Sequence, residues 1–135
     1  MKLTRIASLA SLTLLVGCSV DLSKICPYKE ITQGVFGEVV DSTNTLEENV
    51  EVDLYTMING VQDMLVTSRQ TTRGGYQIDV DPSTYILCSK NVCTNVVVPT
   101  GLVEQSAVDA PSGLTWDPPQ AVPPAQTIGP CTYGD

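Results

Sequence analysis

The chain alternates. Val50, Val52 and Leu54 take turns with Glu51, Asp53 and Tyr55, and further on Tyr76, Ile78 and Val80 take turns with Gln77, Asp79 and Asp81. A repeat of two places apolar side chains on one face of an extended strand and polar ones on the other, so these segments predict half-buried strands in an antiparallel sheet. No segment shows an amphipathic helix pattern long enough to cover such a sheet. The same reasoning predicts strands near 34–40, 50–57, 63–70, 75–80, 84–89, 92–98 and 102–107. Turn signals separate them at Asn44 and Asn49, Asn59-Gly60, Gly74-Gly75, Asp81-Pro82-Ser83, Lys90-Asn91 and Pro99 to Gly101. Seven short antiparallel strands at this spacing point to an all-β, two-layer sandwich.

Ahead of that pattern stands an export signal. Lys2 and Arg5 form a basic start, Ile6 to Val16 is apolar, and Gly17 is a small residue at a cleavage position. The apolar run is shorter than the roughly 20 residues that span a bilayer. Its end, Leu15-Val16-Gly17-Cys18, resembles the lipobox of bacterial lipoproteins. The resemblance implies cleavage before Cys18, diacylation of its sulfur and often a third acyl chain such as palmitate on the new amino terminus. The alternative is an ordinary signal followed by a buried or disulfide-bonded Cys18. Each buried methylene is worth about 0.8 kcal/mol, so two or three chains give a lasting hold on the membrane with the whole polypeptide in water. Ser19 lacks the aspartate that often retains such proteins at the inner membrane, which implies the outer membrane of the cell envelope, on its periplasmic face or at the cell surface.

Loss of residues 1–17 from 135 leaves 118, enough for one domain. It also removes two of the seven basic residues and none of the fifteen acidic ones, so the mature charge falls from −8 to about −10. A surface of that sign repels nucleic acid and anionic headgroups, and its plainest use is solubility.

Cys18 aside, four cysteines remain, Cys26, Cys88, Cys93 and Cys131, an even number in an exported chain. Two disulfides are expected, and four cysteines allow three pairings. Cys88 and Cys93 flank Ser89-Lys90-Asn91-Val92 between the apolar runs 85–87 and 96–98, where a hairpin would bring them face to face. Cys26 and Cys131 would then join the ends of the domain. Chain entropy assigns about 2 kcal/mol to the short bridge and up to about 4.7 kcal/mol to the long one.

Two segments frame the alternating region. Residues 18–33 contain Pro27 and show no period, which predicts a tether from the lipid to the domain at 34–109. Residues 110–135 hold Pro111, Pro118, Pro119, Pro123, Pro124 and Pro130, which predicts an extended tail lying over or beside the sandwich. Asp117-Pro118-Pro119 or Val122-Pro123-Pro124 could serve an aromatic groove in place of acting as a spacer. Trp116 could cover the sandwich edge or offer a stacking surface to a sugar.

The stretches 34–41, 50–55, 71–76 and 80–85 together resemble the carboxypeptidase regulatory-like domain family, over about residues 34 to 90. That family implies a transthyretin-like, broadly immunoglobulin-like, seven-stranded antiparallel sandwich and, for function, a non-catalytic module serving as a scaffold or binding unit. Gly37 would let a neighbour approach closely inside a strand, Gly74-Gly75 would make a tight turn with positive φ, and Tyr76 and Tyr85 would edge the core. Two departures affect turns: Ser83 stands where glycine usually follows the proline, and residues 42–49 lack the usual Gly and Pro.

The chemistry inventory is short. With no histidine, the commonest general base and zinc ligand are missing, so catalysis would rest on carboxylates. Glu47, Glu48, Glu51 and Asp53 cluster, as do Asp79 and Asp81, and paired carboxylates can hydrolyse sugars. Alternation turns Glu51, Asp53, Asp79 and Asp81 outward, which suits solvation more than catalysis. Calcium would favour loop carboxylates, but no calcium-loop spacing is present, and four residues between Cys88 and Cys93 do not match the two-residue redox spacing. The expectation is therefore a lipid-anchored module without catalytic residues, cofactor or metal, binding an envelope protein or glycan; a small carboxylate-dependent envelope hydrolase is the alternative.

Overall fold

A computed structural model describes residues 31–123, so Cys18, Cys26 and Cys131 lie outside the described residues. Within them the chain forms ten strands and no helix: β1 (Gly34–Asp41), β2 (Glu51–Ile58), β3 (Val61–Gln70), β4 (Gly75–Asp79), β5 (Ser83–Ser89), β6 (Val92–Val98), β7 (Leu102–Glu104), β8 (Ala107–Ala110), β9 (Gly113–Trp116) and β10 (Gln120–Ala121). They build two sheets. The first carries β1 at its centre, with β4 on one side, β7 and β8 on the other, and β10 and β9 beyond those. The second is antiparallel in the order β3, β2, β5, β6.

The alternation works as expected. Val35 and Val39 of β1, Tyr76 and Ile78 of β4, Val103, Ala107 and Leu114 face Val52, Leu54, Tyr85, Leu87, Val96 and Val98 of the second sheet in one filled core. A smaller cluster of Ile31, Phe36 and Leu102 lies apart from it, with Val122 packed against it.

Three expectations are corrected. First, the sandwich is not wholly antiparallel, because β1 runs parallel to both β7 and β8. Parallel neighbours need a long crossover, and here the intervening chain visits the second sheet twice, with β4 of the first sheet between, before returning at Gly101. Second, the strand expected over 102–107 is broken at Gln105-Ser106. The gap is bridged by the Gln105 amide donating to the Phe36 carbonyl (2.8 Å) and the Glu38 amide donating to Ser106 Oγ (3.1 Å). Third, the segments framing the domain belong to it in part. Ile31 is buried and Gln33 ties together Val80, Pro99 and Gly101 through its amide, while β9 and β10 extend the first sheet into the proline-rich region. Pro111 falls in the turn between β8 and β9, and Pro118 and Pro119 fall after β9, places where a missing N–H costs no ladder bond.

Turns follow their residues. Asn59-Gly60 and Lys90-Asn91 both carry positive φ at two central positions, the geometry that matches strand twist in two-residue hairpins. The turn expected at Gly74-Gly75 sits one residue earlier, at Arg73-Gly74, closed by paired backbone bonds between Thr72 and Gly75. Residues 42–49 do without glycine because Asp41 Oδ1 accepts from the Thr43 amide, the Thr43 hydroxyl and the Thr45 amide, at 2.7–2.9 Å, and Asn44 takes positive φ. These bonds hold the Asp41 carboxyl below its usual value.

Gly37 has the role assigned to it. A Cβ there would lie 2.1 Å from the Gln105 carbonyl oxygen and 3.0 Å from the Tyr76 hydroxyl, which donates to that same carbonyl. The space left by glycine is thus where β1, β4 and the break in the β7–β8 strand meet.

Candidate functional site

The outer face of the second sheet is concave. Counting outward from alternation, β2 presents Glu51, Asp53 and Tyr55, β5 presents Cys88, and β6 presents Cys93, since Asp53 pairs with Cys88 and Cys88 with Cys93. The hairpin of β2 and β3 bends over this face. Its register slips twice, around Tyr55, so that extra residues crowd into β3 and curl the ribbon. Gln62 thereby comes within 3.8 Å of Cys88 Sγ. The result is a groove of about 590 Å³, lined also by Asn49, Ser89, Lys90 and Asn91, within the size range of small-ligand sites.

Cys88 and Cys93 are joined across the β5–β6 hairpin, with Cα atoms 4.0 Å apart, as the spacing predicted. The arms are those expected, with Lys90-Asn91 as the turn. The bridge forms part of the groove wall.

The expected carboxylate cluster divides into two. Glu47 accepts from Lys90 Nζ at 3.2 Å, and Lys90 also pairs with Asp109 of the first sheet, so the turn is clamped to the opposite layer. Those bonds raise the Lys90 ammonium above its ordinary value and lower the Asp109 carboxyl. Trp116 makes a second tie nearby, its indole donating to the Val92 carbonyl at 3.0 Å. Its body packs on the core, so it covers the sandwich edge.

Glu51 and Asp53 stay together on β2. Asp53, by a shared hydrogen bond and then by its charge, pushes the Glu51 carboxyl above its ordinary value. Asp53 also accepts from the Ser68 hydroxyl at 2.5 Å. The two acids are two positions apart on one strand, Glu51 exposed and Asp53 half-buried, so they present a single acidic side to anything in the groove. Asp79 and Asp81 are exposed at the far end of β4, away from this groove. Among the described residues no group of three or more His, Cys, Asp or Glu is placed to hold a metal ion.

Tyr55 and Gln62 were not singled out from sequence. Tyr55 shared the outward alternation with Glu51 and Asp53 and was readable on that ground. Gln62 was not, because its place depends on bulges that no residue type marks.

Set against known proteins, the chain matches no family model, no curated protein and no solved structure.

Proposed function

We propose that this chain is a non-enzymatic lipoprotein: a β-sandwich module held to the cell envelope by lipid on Cys18, most naturally at the outer membrane, which scaffolds or binds a protein or glycan through the outer face of its second sheet. The observation that carries the module reading is the filled core with the clustered carboxylates outside it. Glu51 and Asp53 line the groove on the outer face of the second sheet and take no part in the core. A glycoside-cleaving pair holds its carboxyls about 5 Å or more apart with the scissile bond between them, whereas Glu51 and Asp53 share a hydrogen bond. The raised Glu51 carboxyl favours a carboxylate hydrolase, but its chief cause is the neighbouring acid rather than a buried setting.

The finer fold assignment is a transthyretin-like sandwich akin to the carboxypeptidase regulatory-like domain. It is supported by the close approach at Gly37, the tight turn before β4 and the buried Tyr76 and Tyr85. The second disulfide is assigned to Cys26 and Cys131. Its support is that Val122, near the end of the described chain, packs against the cluster containing Ile31, near its start. Cys26 lies five positions before Ile31 and Cys131 nine positions after Val122, reaches of roughly 17 and 30 Å in extended chain.

The anchor is tested by Cys18→Ser and cell fractionation. The variant is expected to leave the membrane fraction, or to persist as uncut precursor. Membrane recovery and processing like the unaltered chain would overturn the lipoprotein assignment.

A further inference from the structure

The second sheet ends on one side at β6, and nothing among the described strands pairs with its outer side. Its hydrogen-bonding groups can be assigned. Ser89 and Val92 close the two-residue turn, so they form a bonded pair, and bonded pairs alternate from there along the ladder. Cys88 and Cys93, at a Cα separation of 4.0 Å, have the closer spacing of an unbonded pair. The N–H and C=O groups of Cys93, Asn95 and Val97 therefore point away from β5, toward the open edge.

Among the described residues this edge lacks the usual protections. β6 reads VCTNVVV, with no charge, no proline and no slip in register. The outward residues beside it on β5 are Thr84, Ile86 and Cys88, also uncharged. Val97 is 64% exposed. The opposite edge, β3, carries Asp63, Arg69 and two register shifts, which spoil it as a template.

We propose that β6 pairs antiparallel with β6 of a second copy of this chain, joining two four-stranded sheets into one. The occupant follows from symmetry and charge. A strand that pairs with itself about Asn95 sets Asn95 against Asn95 and Cys93 against Val97, and every outward N–H of one copy meets an outward C=O of the other. Exposed Val97 is then covered by the disulfide edge of its mate. In a chain with fifteen acidic and seven basic residues, two copies repel over most approaches, and this edge is one where no like charges are opposed. The added pair is antiparallel, like every other pair in that sheet.

The test is sedimentation equilibrium of the purified full chain in density-matched detergent, which reads polypeptide mass whether or not Cys18 carries lipid and so fails separately from the anchor. The unaltered chain is expected to be a dimer. Asn95→Lys, which sets two ammonium groups face to face, is expected to weaken association at least about a hundredfold. Asn95→Pro, which removes an N–H that β5 does not use, is expected to give a monomer with unchanged far-ultraviolet circular dichroism. Val66→Lys, on the opposite edge, is expected to leave the dimer intact. A monomeric unaltered chain overturns the proposal, as does a dimer that survives Asn95→Lys or is lost with Val66→Lys. Should Asn95→Pro fail to fold, Asn95→Lys still decides.

Discussion

β3 and β6 border the same four-stranded sheet and are built in opposite ways. β3 is bulged, charged at Asp63 and Arg69, and bent with its hairpin over the outer face, where Gln62 reaches the disulfide. Its exposed apolar residues, Val61, Met64, Leu65 and Val66, therefore lie on a ribbon too twisted to extend the sheet. β6 is paired without a slip in register, uncharged and fastened three times: to β5 by Cys88–Cys93, to the first sheet by the Trp116 indole on the Val92 carbonyl, and at its turn by Lys90 between Glu47 and Asp109. One edge is bent to shape a groove, and the other keeps its register. Apolar exposure alone does not identify a pairing edge, since β3 has more of it; backbone regularity and absence of charge do.

The largest effect is expected at the disulfide. Replacing both Cys88 and Cys93 by serine is expected to lower stability by about 2 kcal/mol, the chain-entropy value for so short a loop, with the slope of urea unfolding unchanged. The loss should localise in β5 and β6. Equal loosening of β3 would mean that the two edges are not independent.

A smaller effect is expected at Lys90. Lys90→Met removes both ion pairs, which are partly exposed to water, so the cost at neutral pH is about 1 kcal/mol. The sign is set by the two partners. Asp109 is lowered in the folded protein, so its contribution is present above its ordinary value near 3.8 and is lost as pH falls through the folded value below that. Lys90 is raised, so its contribution is present below 10.5 and is lost as pH rises beyond it. The difference between variant and parent, followed by urea unfolding against pH, should form a plateau between these limits and shrink outside them. A difference independent of pH would assign Lys90 a packing role only.

Much of this contrast was legible in residues. Lys90-Asn91 between alternating runs marked the β5–β6 hairpin, and the cysteines facing across it marked the bridge. Gly37 marked a close approach because a strand interior rarely keeps a glycine without such a reason. Other features had no local sign. The slips that bring Gln62 to Cys88 arise from how β2 and β3 share their ladder, and the parallel pairing of β1 with β7 and β8 depends on where the chain returns from the second sheet. The strands β8 and β9 were partly readable, since Leu114 and Trp116 alternate with Gly113 and Thr115, but the surrounding prolines suggested a tail. Those prolines sit in the turn and after the strand, where they are harmless.

Pairing of β6 with β6 of a second copy can be read strand by strand from residue-resolved amide hydrogen exchange. The amides of Thr94, Val96 and Val98 bond to β5 and should be protected in the unaltered chain and in Asn95→Lys alike. Those of Cys93, Asn95 and Val97 should be protected in the unaltered chain and exchange freely in Asn95→Lys. Free exchange at Cys93, Asn95 and Val97 in the unaltered chain, at concentrations where the others are protected, would contradict it.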